Sequence, residues 1–120
     1  MTMSVEETQT PQTTETENNA VYQKITPQDA KAYMEEGGYT VLDVRTAGEF
    51  AQIRIPGAVN HPVEDIANIS QTIPDKDTKI LVYCRSGGRS RRAAEAMIAQ
   101  GYTHVLDFGG ILDWPYETER

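Results

Sequence analysis

The order of elements along the chain predicts an α/β fold: a central, mostly parallel sheet with helices on both faces. Strand-like and helix-like segments alternate from residue 21 onward, the pattern of successive β-α units. "KILVYC", residues 79–84, carries four apolar residues in a row before its cysteine, the composition of a strand covered on both faces. Pro and Gly cluster in short connections rather than long loops, which suits one compact domain in a chain of 120 residues.

The elements follow in order. In "ITPQDAKAYMEEGG", Thr26 reads as an N-cap and Pro27 as the first helical residue. Ala30, Tyr33 and Met34 share a face, and Gly37 and Gly38 stop the helix. "YTVLDVR" is a buried strand ending in charge, with Asp43 and Arg45 on one side because they stand two residues apart. Thr46 and Glu49 form a capping box, opening a second helix through Phe50 and Ile53. Pro56 and Gly57 then turn the chain into a short strand at 58–60. A helix follows that directs Val63, Ile66 and Ala67 inward. After the strand at 79–84, a helix from Ser90 to Gln100 carries Ala93, Ala94, Met97 and Ile98 as its apolar stripe and ends at Gly101. "HVLDF" supplies another strand, and "GGILDW" a last helical turn.

Composition removes several functional classes. Residues 1–20 are nearly all Thr, Glu, Gln and Asn, with no aromatic and no basic residue; too little apolar surface is available to offset ordering, so a disordered acidic tail is expected there. Its four glutamates, at 6, 7, 15 and 17, hold four of the seven net negative charges, leaving −3 on the remainder. A chain of that sign is a poor partner for nucleic acid, and the tail reads as a solubilising extension. No stretch approaches the roughly 20 apolar residues of a membrane span, and the start lacks the basic and apolar regions of a signal peptide. One cysteine, Cys84, cannot form an internal disulfide, which agrees with a cytoplasmic location. His61 and His104 stand far apart and no Cys pairs occur, so no metal site is expected. The histidines read as surface or loop-packing residues.

Chemistry gathers at "YCRSGGRSRRAAEA", residues 83–96. A strand that ends in Cys84 and turns through Gly87 and Gly88 into a helix sets the thiol beside unpaired N–H groups and the positive end of the helix dipole, which favour an anion. The glycines permit the positive φ that lets several amides converge on one point. Arg85, Arg89, Arg91 and Arg92 lie within eight residues. Arginines in the first helical turn oppose the dipole, at a cost of about a few tenths of a kcal/mol each, and an anionic substrate accounts for Arg85 and Arg89. Arg91 can pair with Glu95 one turn on. No histidine accompanies the cysteine in the loop, against a Cys-His acyl-transfer pair, and "SGGRS" lacks the lysine and spacing of a nucleotide-binding P-loop.

With these motifs in hand, residues 21 to 116 resemble the rhodanese-like family, in particular its single-domain thiosulfate sulfurtransferases. "LDVRTAGEFAQIRIPGAVN" is similar to the family's first signature, "CRSGGRS" to its active-site loop, and "GYTHVLDFGGILDW" to its C-terminal signature. The resemblance implies a rhodanese-like domain over 21–120 after the acidic tail. It makes Cys84 a nucleophile that takes sulfane sulfur from thiosulfate as a persulfide and passes it to cyanide or a thiol, a protein thiol included. Neither cofactor nor metal is implied. Arg85, Ser86, Gly87, Gly88 and Arg89 would surround that sulfur with N–H groups, Arg85 and Arg89 would attract the sulfonate of the donor, and Ser90 would close the loop onto the helix. Asp43, Arg45 and Glu49 would buttress the loop and pair with one another. Ile53 and Arg54 depart from the Gly-His usual before the Ile-Pro-Gly-Ala turn, which bears on the packing of that turn and adds a cation nearby. Phosphatases of the Cdc25 type have one more residue between Cys and Arg than the four between Cys84 and Arg89, and the smaller ring suits sulfur better than a tetrahedral oxyanion. A phosphatase or arsenate reductase, and a non-catalytic binding module acting through its sheet edge or tail, are the alternatives.

Overall fold

The computed structural model describes residues 21–120; the acidic segment 1–20 lies outside them. Five strands form one sheet in the order β1-β5-β4-β2-β3: β1 Gln23–Lys24, β2 Tyr39–Asp43, β3 Val59–Asn60, β4 Lys79–Cys84 and β5 His104–Gly110. Every neighbouring pair is parallel, so all five carboxyl ends share one edge. β1 was not anticipated; at two residues it is too short for any hydrophobic period to show.

The central strand explains the layering. From Ile80 to Cys84 every residue of β4 is buried, and alternate side chains feed two separate cores. Ile80, Val82 and Cys84 face α3 (Gly88–Ala99) and the segment Val63–Gln71, packing with Ala93, Ala94, Met97 and Ile69. Leu81 and Tyr83 face the other way, toward Ala30 of α1 (Pro27–Glu36), Phe108 and Trp114. Helices therefore cover both faces, as the alternation predicts.

α1 has the expected ends: the Thr26 hydroxyl accepts from the Asp29 amide at 3.0 Å, and Gly37 (φ 87°) receives the chain at the far end. α2 (Ala47–Gln52) carries both arms of the Thr46/Glu49 capping box. It stops one residue short of the predicted Ile53, which is extended because its carbonyl is taken by the Arg45 guanidinium at 2.5 Å.

Two further elements differ from the sequence reading. Val63–Gln71 is not an α-helix but kinked 3-10 turns, broken at Asp65 and Asn68. Three residues per turn put Val63, Ile66 and Ile69 on the inner side, so Ile69 is fully buried and Ala67, expected inward, is exposed. α3 starts at Gly88, two residues before the predicted Ser90, because Gly87 adopts a left-handed φ of 117° and lets the helix open at once.

One irregularity sets the floor of the cysteine loop. Val82 pairs with Asp107 but Cys84 pairs with Gly110, so β5 spends one extra residue there. Gly109 (φ 89°) makes that bulge possible. Gly110 then lies directly against the loop: a Cβ on it would meet the Arg85 carbonyl oxygen at 2.0 Å and the Ser86 Cα at 2.6 Å. The Gly-Gly of the C-terminal motif thus holds one glycine for its dihedral and one for its missing side chain.

Two predictions follow from this packing, both read as denaturant midpoints. Ile69→Ala should lose about 2–5 kcal/mol, while Ala67→Ser should change stability by less than about 0.5 kcal/mol; equal effects would mean the segment is α-helical after all. Gly110→Ala should cost about 3 kcal/mol or more, since only backbone can yield, whereas Gly88→Ala, whose Cβ meets nothing within 4 Å, should stay within about 0.5 kcal/mol.

Candidate active site

Cys84 ends β4 at the carboxyl edge of the sheet and is 1% exposed. Its Sγ accepts a hydrogen bond from the Gly87 amide at 3.0 Å, so the loop curls back over the sulfur within three residues. Beyond it, the first intrahelical bond of α3 runs from Arg91 N–H to the Gly87 carbonyl at 3.2 Å. That leaves the amides of Gly88, Arg89 and Ser90 without a carbonyl of their own helix, and all belong to the turn that abuts the sulfur. Of the amides expected to converge on the thiol, that of Gly87 is on the sulfur, and the buried position of the sulfur strengthens this contact.

Ser90 occupies the third position of α3 rather than its cap. It is fully buried, and its hydroxyl points at the Asp107 carboxylate (2.8 Å), with the Gly87 carbonyl oxygen at 3.0 Å. The loop is thereby closed onto the helix, as expected, but by a side chain that donates inward.

The acceptor, Asp107, went unread in the sequence. It is 1% exposed and takes bonds from the Ser90 hydroxyl, from the Gly109 amide at 2.9 Å and from the Tyr22 hydroxyl at 2.5 Å. Three donors meet the needs of a buried carboxylate that has no ion pair among the described residues. Burial, together with the bond to Asp107, pushes the Tyr22 phenol up to about 12. The signal was available: an acid inside the apolar run "HVLDF" must find donors if that run is a covered strand.

Arg89 and Glu49 correct two expectations at once. The Arg89 guanidinium does not stand free for a substrate; it clasps the Glu49 carboxylate with both nitrogens, at 2.7 and 3.0 Å. This pair, aided by the Thr46 amide, holds the Glu49 carboxyl down to about 2. Glu49 therefore does not join Asp43 and Arg45, but ties α2 to the cysteine loop. Asp43 and Arg45 do pair, at 2.7 Å and almost fully buried. Arg45 donates to the Ile53 carbonyl and Asn60 donates its side-chain amide to the Asp43 and Arg45 carbonyls, which braces the connection from α2 to β3, while the Arg45 guanidinium lies over the ring of Tyr83, the residue before Cys84, at 5.7 Å.

The remaining cations divide clearly. Arg54 bonds Glu119 through both backbone and side chain and lies over the Phe50 ring at 5.1 Å, so this residue, one of the two that depart from the usual Gly-His, fastens the C-terminal segment to this turn. Arg91 pairs with Glu95 at 3.3 Å, as anticipated, and covers the Tyr22 ring at 4.4 Å. Arg85 and Arg92 are exposed and form no ion pair among the described residues. Of the histidines, His61 is buried and bonded through both ring nitrogens, to Thr72 and to the Asp65 carbonyl, which is loop packing; His104 is exposed.

The chain is similar in sequence and fold to known proteins. The chain is 37% identical over 73 residues to thiosulfate sulfurtransferase PspE of Escherichia coli, spanning 60% of this chain and 70% of the relative. To thiosulfate sulfurtransferase GlpE of Pseudomonas savastanoi pv. phaseolicola it is 34% identical over 92 residues, 74% of this chain and 82% of the relative. Among solved structures, a rhodanese-related protein from Thermoplasma volcanium superposes with a TM-score of 0.71 at 31% identity, covering 82% and 98% of the two chains. A rhodanese with anions from E. coli does so with a TM-score of 0.63 at 32% identity, covering 68% and 98%. The rhodanese-like domain model matches residues 26–116, and with the sheet order, the cysteine loop and the Gly-Gly floor in place, this chain belongs to the rhodanese-like domain family.

Proposed function

We propose that the protein is a sulfurtransferase that takes sulfane sulfur from thiosulfate onto Cys84. The observation that carries this reading is the Gly87 amide 3.0 Å from the Cys84 sulfur, in a loop with four residues between Cys84 and Arg89. Relatives named as thiosulfate sulfurtransferases support the donor.

In the first step the Cys84 thiolate attacks the outer sulfur of thiosulfate. A new S–S bond forms at Cys84, the S–S bond of thiosulfate breaks, and its electron pair leaves with sulfite. In the second step a thiophilic acceptor, cyanide or a thiol, takes the outer sulfur, and the electron pair of the Cys84 S–S bond returns to Sγ. Two half-reactions sharing one enzyme form give ping-pong kinetics. Loop amides preset around the sulfur stabilise the anionic forms on both sides of each step without reorganising. Arg85, exposed at the rim, draws in the sulfonate of the donor; the charge of Arg89 is compensated by Glu49, so its part is to fix the loop. A single Cys84 that must stay reduced suits a reducing compartment such as the cytoplasm.

A phosphatase reading finds little support here. At position 90, where a longer loop would place its arginine, a serine turns inward to Asp107.

Intact mass measured after incubation with thiosulfate tests the proposal. The wild type should gain one sulfur atom, lose it to cyanide, and show no gain as Cys84→Ser. An unchanged wild-type mass alongside phosphate-ester turnover would defeat it.

The tie between α2 and the loop has its own pH signature. Glu49 titrates near 2 when folded against about 4.5 for a free carboxyl, a depressed value, so its contribution is complete above about pH 4.5 and is lost as pH falls toward 2. Glu49→Gln keeps the capping box and removes the charge. Urea midpoints of the two proteins should differ by a constant amount between about pH 6 and 8 and converge below about pH 4.5. A gap that widens on acidification would contradict the pairing.

A further inference from the structure

The steps above make no use of Asp107, a carboxylate on β5 that is 1% exposed. Its two oxygens are engaged differently. Oδ1 takes the Ser90 hydroxyl at 2.8 Å and the Gly109 amide at 2.9 Å, while Oδ2 takes the Tyr22 hydroxyl. The two donors on Oδ1 belong to the residues that flank Gly87. Ser90 Oγ lies 3.0 Å from the Gly87 carbonyl oxygen, and a Cβ built on Gly87 would stand 4.0 Å from the Gly109 Cα. Gly87 in turn sets its amide on the Cys84 sulfur at 3.0 Å. One carboxylate oxygen thus fixes both supports of the residue that touches the sulfur.

The Ser90 hydroxyl has a single proton and three acceptors in reach: Asp107 Oδ1 at 2.8 Å, the Gly87 carbonyl at 3.0 Å and the Gly109 carbonyl at 3.4 Å. The nearest acceptor is also the charged one, and it takes the proton. The Gly87 carbonyl is then left to the Arg91 amide at 3.2 Å, the bond that opens α3. Without an acceptor at position 107, the Ser90 proton turns to the Gly87 carbonyl and competes with that bond. The Gly109 amide loses its partner at the same time. That amide bond, two residues along from Asp107, is a side-chain turn that holds Gly109 at φ 89° and with it the bulge behind Gly87.

We propose that Asp107 is a positioning residue for the sulfur step: through Ser90 and Gly109, its Oδ1 holds the Gly87 amide on the Cys84 sulfur. The inference rests on the sulfurtransferase reading for the reaction and adds to it a residue outside the cysteine loop. Tyr22 meets the other oxygen and stands apart from this fork. Because the amide bears on the reacting atom and not on the rim, loosening the fork slows the sulfur step itself and leaves the capture of thiosulfate as it was.

Two readouts test this on the full chain. Hydrogen exchange of the Gly87 amide, divided by that of Leu42 in β2, reports the loop and cancels changes in global stability. Single-turnover loading over a range of thiosulfate concentrations separates the maximal rate constant from the half-saturating concentration. Ser90→Ala and Asp107→Ala should each raise the exchange ratio about tenfold and lower the maximal rate constant about tenfold, the loss of one charge-assisted contact, with half-saturation within about twofold of wild type. Asp107→Asn keeps an oxygen in the fork and should bring both readouts back to within about threefold. Tyr22→Phe removes only the bond to Oδ2 and should leave both within about twofold while lowering the denaturant midpoint. Wild-type values of both readouts in Ser90→Ala, or equal effects of Tyr22→Phe and Ser90→Ala, would overturn the proposal. An Asp107→Asn protein as impaired as Asp107→Ala would assign the effect to charge rather than position and overturn it as well. Should Asp107→Ala fail to fold, the pair Ser90→Ala and Tyr22→Phe decides. If the wild type takes no sulfur from thiosulfate, the sulfurtransferase reading falls, and the exchange ratios still decide whether Asp107 holds the Gly87 amide.

Discussion

The contact on which the rest of the structure depends is the Gly87 amide on the Cys84 sulfur. It requires a strand to end, reverse and become a helix within three residues, with a left-handed residue at the corner, which glycine alone supplies without strain. Side chains of this loop are largely exposed, yet its backbone has little room to drift. Gly110 presses against Arg85 and Ser86 from below, Ser90 is anchored on Asp107 at one side, and Arg89 is clasped by Glu49 at the other. Two of these ties come from β5, through Gly110 and Asp107, and the third from α2, through Glu49, so the cradle depends on distant elements rather than on a local sequence.

Charge is distributed to the same end. A chain with net charge −7 places four arginines within eight residues of Cys84, yet two of them are matched by acids, Arg89 by Glu49 and Arg91 by Glu95. The buried Asp107 is satisfied by three neutral donors instead of a cation, which keeps a second strong positive charge out of the space behind the sulfur. Of the four arginines, Arg85 and Arg92 are left exposed and without an ion pair among the described residues. In the proposed reaction, attraction at the rim and the fixed dipole at the floor would separate capture of a substrate from stabilisation of the sulfur.

Much of this was legible in the sequence because it rests on local rules. Pro27 after Thr26, the Thr46/Glu49 box and the unbroken apolar run before Cys84 each dictate an element through nearest neighbours and periodicity, and each is where it was expected. What was not legible depends on contacts between distant residues. The partner of Arg89 lies 40 residues away, and nothing in the spacing distinguishes an arginine that meets substrate from one that meets Glu49. Ala67 was assigned inward on an α-helical period, whereas the segment's path over β2, β4 and α3 selected 3-10 turns and buried Ile69 instead. β1 exists only because Tyr22 and Ile25 dock beside β5, a tertiary cause with no two-residue signature.

The central claim is that the loop backbone, and not a side chain, holds the reacting sulfur. Amide 15N–1H resonances recorded before and after sulfur loading test it most directly. The account predicts that the largest shifts fall on Gly87 and its neighbours from Ser86 to Ser90, while β2 and α1 stay in place. Persulfide formation that leaves the Gly87 amide unmoved would contradict it.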